Sequence, residues 1–283
     1  MNIKYTSLIE NANNINLVSA LLEEVEVNPS LINRHLEKYE LVRKANEILS
    51  KDTEYNVLIE MANINAVKRL LYNDHGPVHA RIVAGSALEI FDRLLRYNVT
   101  PTSIVYKTAS SIEESALIVF LASMFHDIGN SVHRANHELI GALISRPILD
   151  RVLRRLFPKD KRKRTMIRQE VMNAVYSTAM EVQSLTIEGG IVKVADGTDM
   201  AMGRARYPYR MGKNDMHALS ALSVQKVTIA SDEKPVVINI YMKDSAGVFQ
   251  IEQVLGPKIN TSGLKPYILV NAYQNGRKYN VEY

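Results

Sequence analysis

His126 and Asp127 stand side by side at the end of Ala116–Phe125, the most apolar run of the chain. Placing a carboxylate against such a run is strongly unfavourable unless something cationic meets it. A divalent metal answers that need for both neighbours, because imidazole and carboxylate are donors that suit Mn, Fe, Ni, Zn, Co or Mg. The same pair, taken alone, also serves as a plain helix-end cap. There is no cysteine, so a thiolate site, a disulfide framework and a cysteine nucleophile are all excluded. Five of the seven histidines (His75, His79, His126, His133 and His137) fall between Asp74 and His137. His133 and His137 are four residues apart, the spacing that puts two side chains on one helix face. Asp196 closes a second apolar run, Ile191–Ala195. No nucleophile elbow or phosphate loop is present, and Gly141 stands where a His-Glu-x-x-His motif starting at His137 needs its second histidine.

Three spaced words carry a family resemblance: Asp74-His75-Gly76-Pro77-Val78-His79, Phe125-His126-Asp127-Ile128-Gly129 and Val194-Ala195-Asp196-Gly197. Over residues 70–205 the chain resembles the HD-domain superfamily of metal-dependent phosphohydrolases. The resemblance implies a helical bundle with a divalent metal between its helices, held by His79, His126, Asp127 and Asp196. It also implies hydrolysis of a phosphate ester or anhydride, with Asp127, or Asp74, orienting the attacking water. His133 and Arg134 would then meet the developing charge or protonate the leaving oxygen. The segment His137-Glu138-Leu139-Ile140-Gly141-Ala142 is similar to that of members holding a second metal. Those members carry further histidines where this chain has Tyr176-Ser177-Thr178, so the expectation is one metal, with His137 and His133 at the substrate phosphate or a weak second ion. Many members place a lysine after His-Asp-Ile-Gly; here it is Asn130, and a phosphate-facing cation is expected from Arg134 or Arg81. Arg204 and Arg206, within Gly203–Arg210, are expected to contact phosphate, and Tyr207 and Tyr209 offer surfaces for a base.

The elements that must position these residues are mostly helical. Leu8, Ile9, Ile15, Leu17, Leu21 and Leu22 recur at helical spacing, as do Leu31, Ile32, Leu36, Leu41, Val42 and Ile48. Pro29-Ser30 marks a helix start. His79–Tyr97 reads as an amphipathic helix, Asn98–Ser111 as a loop, and Glu113–Phe125 as an interior helix with acids in its first turn. Further helices are predicted over Asn136–Leu156 and Thr165–Glu181. Beyond Met216 the β-branched runs Val224–Ala230, Val236–Met242 and Pro266–Tyr273 read as strands, with helical spacing over Ala246–Leu255 between the last two. The fold class is therefore mainly α: an HD-type helical bundle with a small C-terminal α+β appendage in the order strand–strand–helix–strand. The expected division is an N-terminal helical region over 1–70, the metal-binding helical domain over 71–215, and the α+β domain over 216–283.

The net charge of +5 is concentrated in one place. Between Arg151 and Glu170 nine Lys/Arg face two acids, a net of +7 that leaves −2 for the rest of the chain. That segment, Arg151–Arg168, is either a solvated helical corner around Pro158 or a landing strip for nucleic acid. No run approaches the ~20 apolar residues of a spanning helix, and the expected setting is cytoplasmic, with no membrane partner and a homo-oligomer the expected state. A nucleotide or other phosphorylated small molecule is the expected substrate. The competing reading is a regulatory nucleotide- or RNA-binding module with a structural metal, weakened by the lack of a Gly-x-x-Gly loop and of the aromatic pair an RNA-binding sheet carries.

Overall fold

The computed structural model describes residues 23–201, 216–279 and 281, and it is mainly helical with a five-stranded mixed sheet. The helices are α1 (Ile32–Lys38), α2 (Glu40–Leu49), α3 (Thr53–Asn63), α4 (Pro77–Arg96), α5 (Ile112–Phe125), α6 (His137–Ile144), α7 (Arg146–Leu156), α8 (Lys161–Tyr176), α9 (Ile187–Thr198) and α10 (Met216–Ser223), followed later by α11 (Gly256–Ser262). Helix α5 lies at the centre, buried from Glu114 to Phe125, as a helix apolar on all sides must be. It packs against α4, α8 and α9, of which α4 and α9 are themselves buried along most of their length.

Each helix on the site has a start readable in its sequence. Pro77 opens α4 at a position where its missing N–H is no loss. Ser111 caps α5 by accepting from Glu114 N, and Thr186 caps α9 by accepting from Gly189 N. The predicted helix over Asn136–Leu156 is two helices, because the chain turns at Ser145. The predicted loop Asn98–Ser111 contains one short helical turn, Thr102–Val105.

Strands β1 (Val25–Glu26), β2 (Val224–Ala230), β3 (Val236–Met242), β4 (Ile268–Gln274) and β5 (Arg277–Tyr279) lie in that spatial order. All pairs are antiparallel except β3 and β4, which run parallel in the register Val236↔Ile268 through Met242↔Gln274. A parallel neighbour needs a long crossover, and a helical run over Val248–Ser262 supplies it: Val248–Gln250, a π-helical turn Ile251–Leu255, and α11. That run is longer than the predicted Ala246–Leu255. Residues from all three sequence regions, Val25 to Ala272, share one buried apolar core.

The opening helices also carry a buried polar network. The His35 ring lies 3.3 Å from both Glu89 Oε2 and Asp92 Oδ2. Burial opposes its charge, but these two carboxylates raise its pKa above the ordinary value. Arg93 is fully buried and ties α4 to distant chain: it donates to Glu89 Oε1 (2.8 Å), Ser231 Oγ (2.9 Å) and the Glu23 carbonyl (2.7 Å).

The basic segment is partly spent on folding. Arg151 pairs with Asp52 and Glu54, Lys163 with Glu114, and Arg168 with Asp150, while Arg164 donates to the Phe157 and Pro158 carbonyls. Arg154, Arg155, Lys159, Lys161 and Arg162 remain exposed. The expected lack of an aromatic pair on the sheet is corrected: Tyr241 and Tyr273 are register partners whose rings stack at 5.2 Å. They lie 32 positions apart in sequence, so no local word shows them. Among the described residues no helix is long and apolar enough to cross a membrane.

Candidate metal centre

Three elements bring four side chains to one point. The first turn of α4 presents His79, the end of α5 presents His126 and Asp127, and the last turns of α9 present Asp196. His79 Nε2 lies 3.1 Å from His126 Nε2, 3.3 Å from Asp127 Oδ2 and 3.2 Å from Asp196 Oδ1. His126 Nε2 lies 3.3 Å from Asp127 Oδ2 and 3.7 Å from Asp196 Oδ1. Donors bound at about 2.1 Å to one ion are separated by about 3.0 Å at an octahedral right angle and about 3.4 Å in a tetrahedron. For His79, His126 and Asp127 the spacing matches that of a single coordination sphere, and Asp196 Oδ1 approaches the two imidazoles beside it.

The outer bonds fix which atoms face inward. His79 Nδ1 donates to Asp199 Oδ2 at 2.6 Å, and His126 Nδ1 donates to the Ser123 carbonyl at 2.7 Å. Both Nε2 atoms are thereby left as the inward-facing donors of lone pairs, as in metal-bound imidazoles oriented by a second partner. The Asp127 carboxylate is oriented the same way. Its Oδ1 accepts from Asn130 Nδ2 at 3.0 Å and lies 3.3 Å from His137 Nε2. Its Oδ2, aimed at the imidazoles, is buried with no hydrogen-bond donor in good geometry. Asp196 Oδ2 accepts from Lys258 Nζ at 2.6 Å. Two lone pairs and two carboxylate oxygens crowded together require a cation, and the donor set fits a divalent one. The buried group His79, His126 and Asp127 can hold a metal ion.

Electrostatics in the metal-free site show the same demand. Burial works against a charged His126, yet Asp127 and Asp196 lift its pKa to about 9. Burial also opposes ionised Asp127, but His126, His75 and His137 outweigh it and hold that carboxyl well below its usual range. A proton on His126 thus stands in for the cation. Metal must displace it, so binding at pH 7.5 is expected to release about one proton, with affinity rising about tenfold per pH unit until pH reaches about 9. The linked stability has a definite sign. Because the folded pKa exceeds the unfolded ~6.5, stabilisation of the metal-free protein is complete below ~6.5 and is lost as pH rises through about 9. Calorimetric titration in buffers of different ionisation enthalpy measures the proton count; a pH-independent affinity with no proton released would remove this assignment.

A cavity of about 510 Å³ opens onto the centre, lined among others by Tyr72, His75, Asp127, Arg134, His137, Glu138, Asp196, Asp199 and Lys258. Of the other predicted residues, His137 is buried beside Asp127, and Arg134 lies within 3.0 Å of His137 Nε2. His133 does not join them. The helix begins only at His137, after Asn136 in the left-handed conformation, so His133 and His137 share no helix face; His133 is exposed and accepts from Ala135 N. Arg81 also faces elsewhere: two positions beyond His79 it lies across the helix, donating to Asn33 Oδ1. Asp74 accepts from Gly76 N, shaping the turn before α4. Arg204 and Arg206 lie outside the described residues. Sequence reasoning missed Lys258 and the orienting role of Asp199. For Asp199 a signal existed, since it follows Asp196 by three and sits at the cap of the same helix.

Fold and site together define a mainly helical protein with a buried His/Asp group able to hold a metal. No family model matches the chain, and no solved structure matches it. It is 42% identical over 225 residues to a protein of Methanocaldococcus jannaschii named Uncharacterized protein MJ1020, a match covering 79% of this chain and 86% of that relative. The chain belongs to the family of that protein.

Proposed function

We propose that this protein is an HD-type phosphohydrolase using one divalent metal, with a nucleotide or another phosphorylated small molecule as substrate. The observation that carries the reading is the convergence of His79 Nε2, His126 Nε2, Asp127 Oδ2 and Asp196 Oδ1 at the edge of an open cavity with charged side chains in its wall. A divalent ion bound there supplies Lewis acidity and lowers the pKa of a water from about 15.7 towards 7. The chain's own residues do the rest. Asp199 and Ser123 keep the imidazoles in one tautomer, and Asn130 and His137 fix the Asp127 carboxylate. Arg134, cationic and on the cavity wall, is placed to meet phosphoryl oxygens. His137 is the wall's candidate proton donor: burial opposes its charge, while Asp127 and Glu138 raise its pKa.

The test is phosphate release from a panel of nucleoside mono-, di- and triphosphates and a diester, with protein stripped of metal and then given Mn²⁺, Mg²⁺, Ni²⁺, Zn²⁺ or Co²⁺. Turnover is expected only with metal, and the preferred panel member names the substrate class. A metal retained without turnover on any member would replace this reading with the binding module. One observation favours that second reading: the row Lys226, Tyr241, Tyr273, Lys278 runs across four paired strands, with Lys226 Nζ 4.6 Å from the centre of the Tyr241 ring. Nucleic-acid binding through it would fall steeply with salt.

A further inference from the structure

The α+β part is more than an appendage at the centre. Helix α9, which carries Asp196, has glycines at positions 190 and 197, on the face where the C-terminal helical run lies. A Cβ on Gly190 would sit 2.2 Å from the Ser262 carbonyl oxygen, and one on Gly197 would sit 2.9 Å from a Leu255 methyl and 3.2 Å from Lys258 Cδ. The close approach permitted by these glycines brings Lys258 over the last turn of α9. Its ammonium lies 2.6 Å from Asp196 Oδ2 and 3.4 Å from the Thr178 carbonyl, and the residue is 9% exposed. An ammonium has three donors. Two are met by those oxygens, and Lys258 itself lines the cavity with Gln250, Gln253 and Val254, which leaves the third for what the cavity holds.

The two flanks of the centre therefore differ in origin. On the Asp127 side the cation is Arg134, held from α6's approach; on the Asp196 side it is Lys258, delivered from the C-terminal run. We infer that Lys258 is the anion-contacting residue on the Asp196 flank, holding that carboxylate while offering its remaining donor to a phosphoryl oxygen bound beside the metal. This inference rests on the proposed metal site and gives the C-terminal part a direct share in substrate recognition. Asn130 does not compete for this part: its side-chain amide donates to Asp127 Oδ1 and its side-chain oxygen accepts from Arg134.

The experiment uses the full chain and two probes, Mn²⁺ and inorganic phosphate, each followed by calorimetry. Wild type is compared with Lys258→Met, Lys258→Gln and Lys258→Arg. Phosphate binding to the Mn²⁺-loaded protein is expected to weaken about tenfold or more in both neutral variants, since a charge-assisted hydrogen bond is lost, and to return towards wild type with Arg. Mn²⁺ affinity is expected to change by less than about threefold, because the cation that orients Asp196 also competes for its charge. The Gln variant keeps a hydrogen-bond donor for Asp196 and guards against a folding defect in the Met variant. Neutral variants that bind Mn²⁺ and phosphate as wild type does would overturn the inference and leave the metal site standing. A wild-type protein that retains no Mn²⁺ would sink the metal reading and this inference with it.

Discussion

Replacing Asp127 by alanine is expected to take metal retention to background and phosphate release with it, while the chain stays folded. Two features make the effect large. Asp127 Oδ2 is an inward-facing donor buried without a hydrogen-bond partner, so its charge is answered by the metal. The same side chain also anchors Asn130 and His137, and both lose their shared acceptor. Asp127→Asn separates the two contributions, because the amide keeps the shape and one carbonyl oxygen but gives up the charge. Its metal affinity is expected to fall at least about a hundredfold, beyond the 10–100-fold range that losing an outer-sphere partner brings. The substitutions also remove a carboxylate that holds His126 charged, so the pKa of His126 should fall from about 9 and the proton released on metal binding should diminish. NMR titration of the imidazole and metal analysis of the purified variants check both. Retention of a full complement of metal by Asp127→Ala would show that Asp127 is a cap and not a ligand.

The parts of the site that the sequence discloses are those whose requirements are local. His126-Asp127 shows because two ionisable residues end a run of apolar ones, and the structure buries that pair. His79 and Asp196 become visible only through the spaced pattern; each of them meets its partners from another helix. Lys258 leaves no such trace, since its contact with Asp196 spans 62 positions and depends on how closely α9 and the C-terminal run approach. His133 fails for the opposite reason. Spacing of four argues for a shared face only within a helix, and a left-handed Asn136 starts the helix too late. The sheet divides in the same way. Strands β2 and β3 follow from β-branched runs with the limits read from the sequence. Strand β5 carries a local signal: Asn275-Gly276, both at positive φ, is the turn that joins it to β4. Strand β1 has two residues and takes its identity from pairing with Ile229 and Thr228, which no local pattern can announce.

Gly129→Ala is expected to be the most disruptive single-methyl change near the centre. The turn Ile128–Ser131 that follows Asp127 lies against α6 so closely that a Cβ at Gly129 would stand 1.9 Å from the His137 carbonyl oxygen and 2.6 Å from Gly141 N. Both are backbone atoms, so no rotamer change relieves the overlap, and α6 must withdraw by roughly 1.5 Å to restore ordinary contact. That shift has chemical consequences as well as a packing cost. Helix α6 carries His137 to Asp127 Oδ1, so its withdrawal takes that partner from the carboxylate, while Asn130, in the turn beside Asp127, stays. A loss of about 4 kcal/mol or more in folding stability is expected, in the range reserved for overpacked or broken buried networks. Gly276→Ala is the control: its φ of +76° makes the substitution strained, but nothing lies within 4 Å of the added carbon. Strain without overlap costs on the order of 1 kcal/mol. Denaturant unfolding of the metal-free proteins compares the two directly. Metal titration of whatever Gly129→Ala protein remains folded then reads the second effect, an affinity reduced through the loosened Asp127. Equal stabilities for the two variants would mean that the turn and α6 are not in the contact described, and the account of how Asp127 is oriented would fall with it.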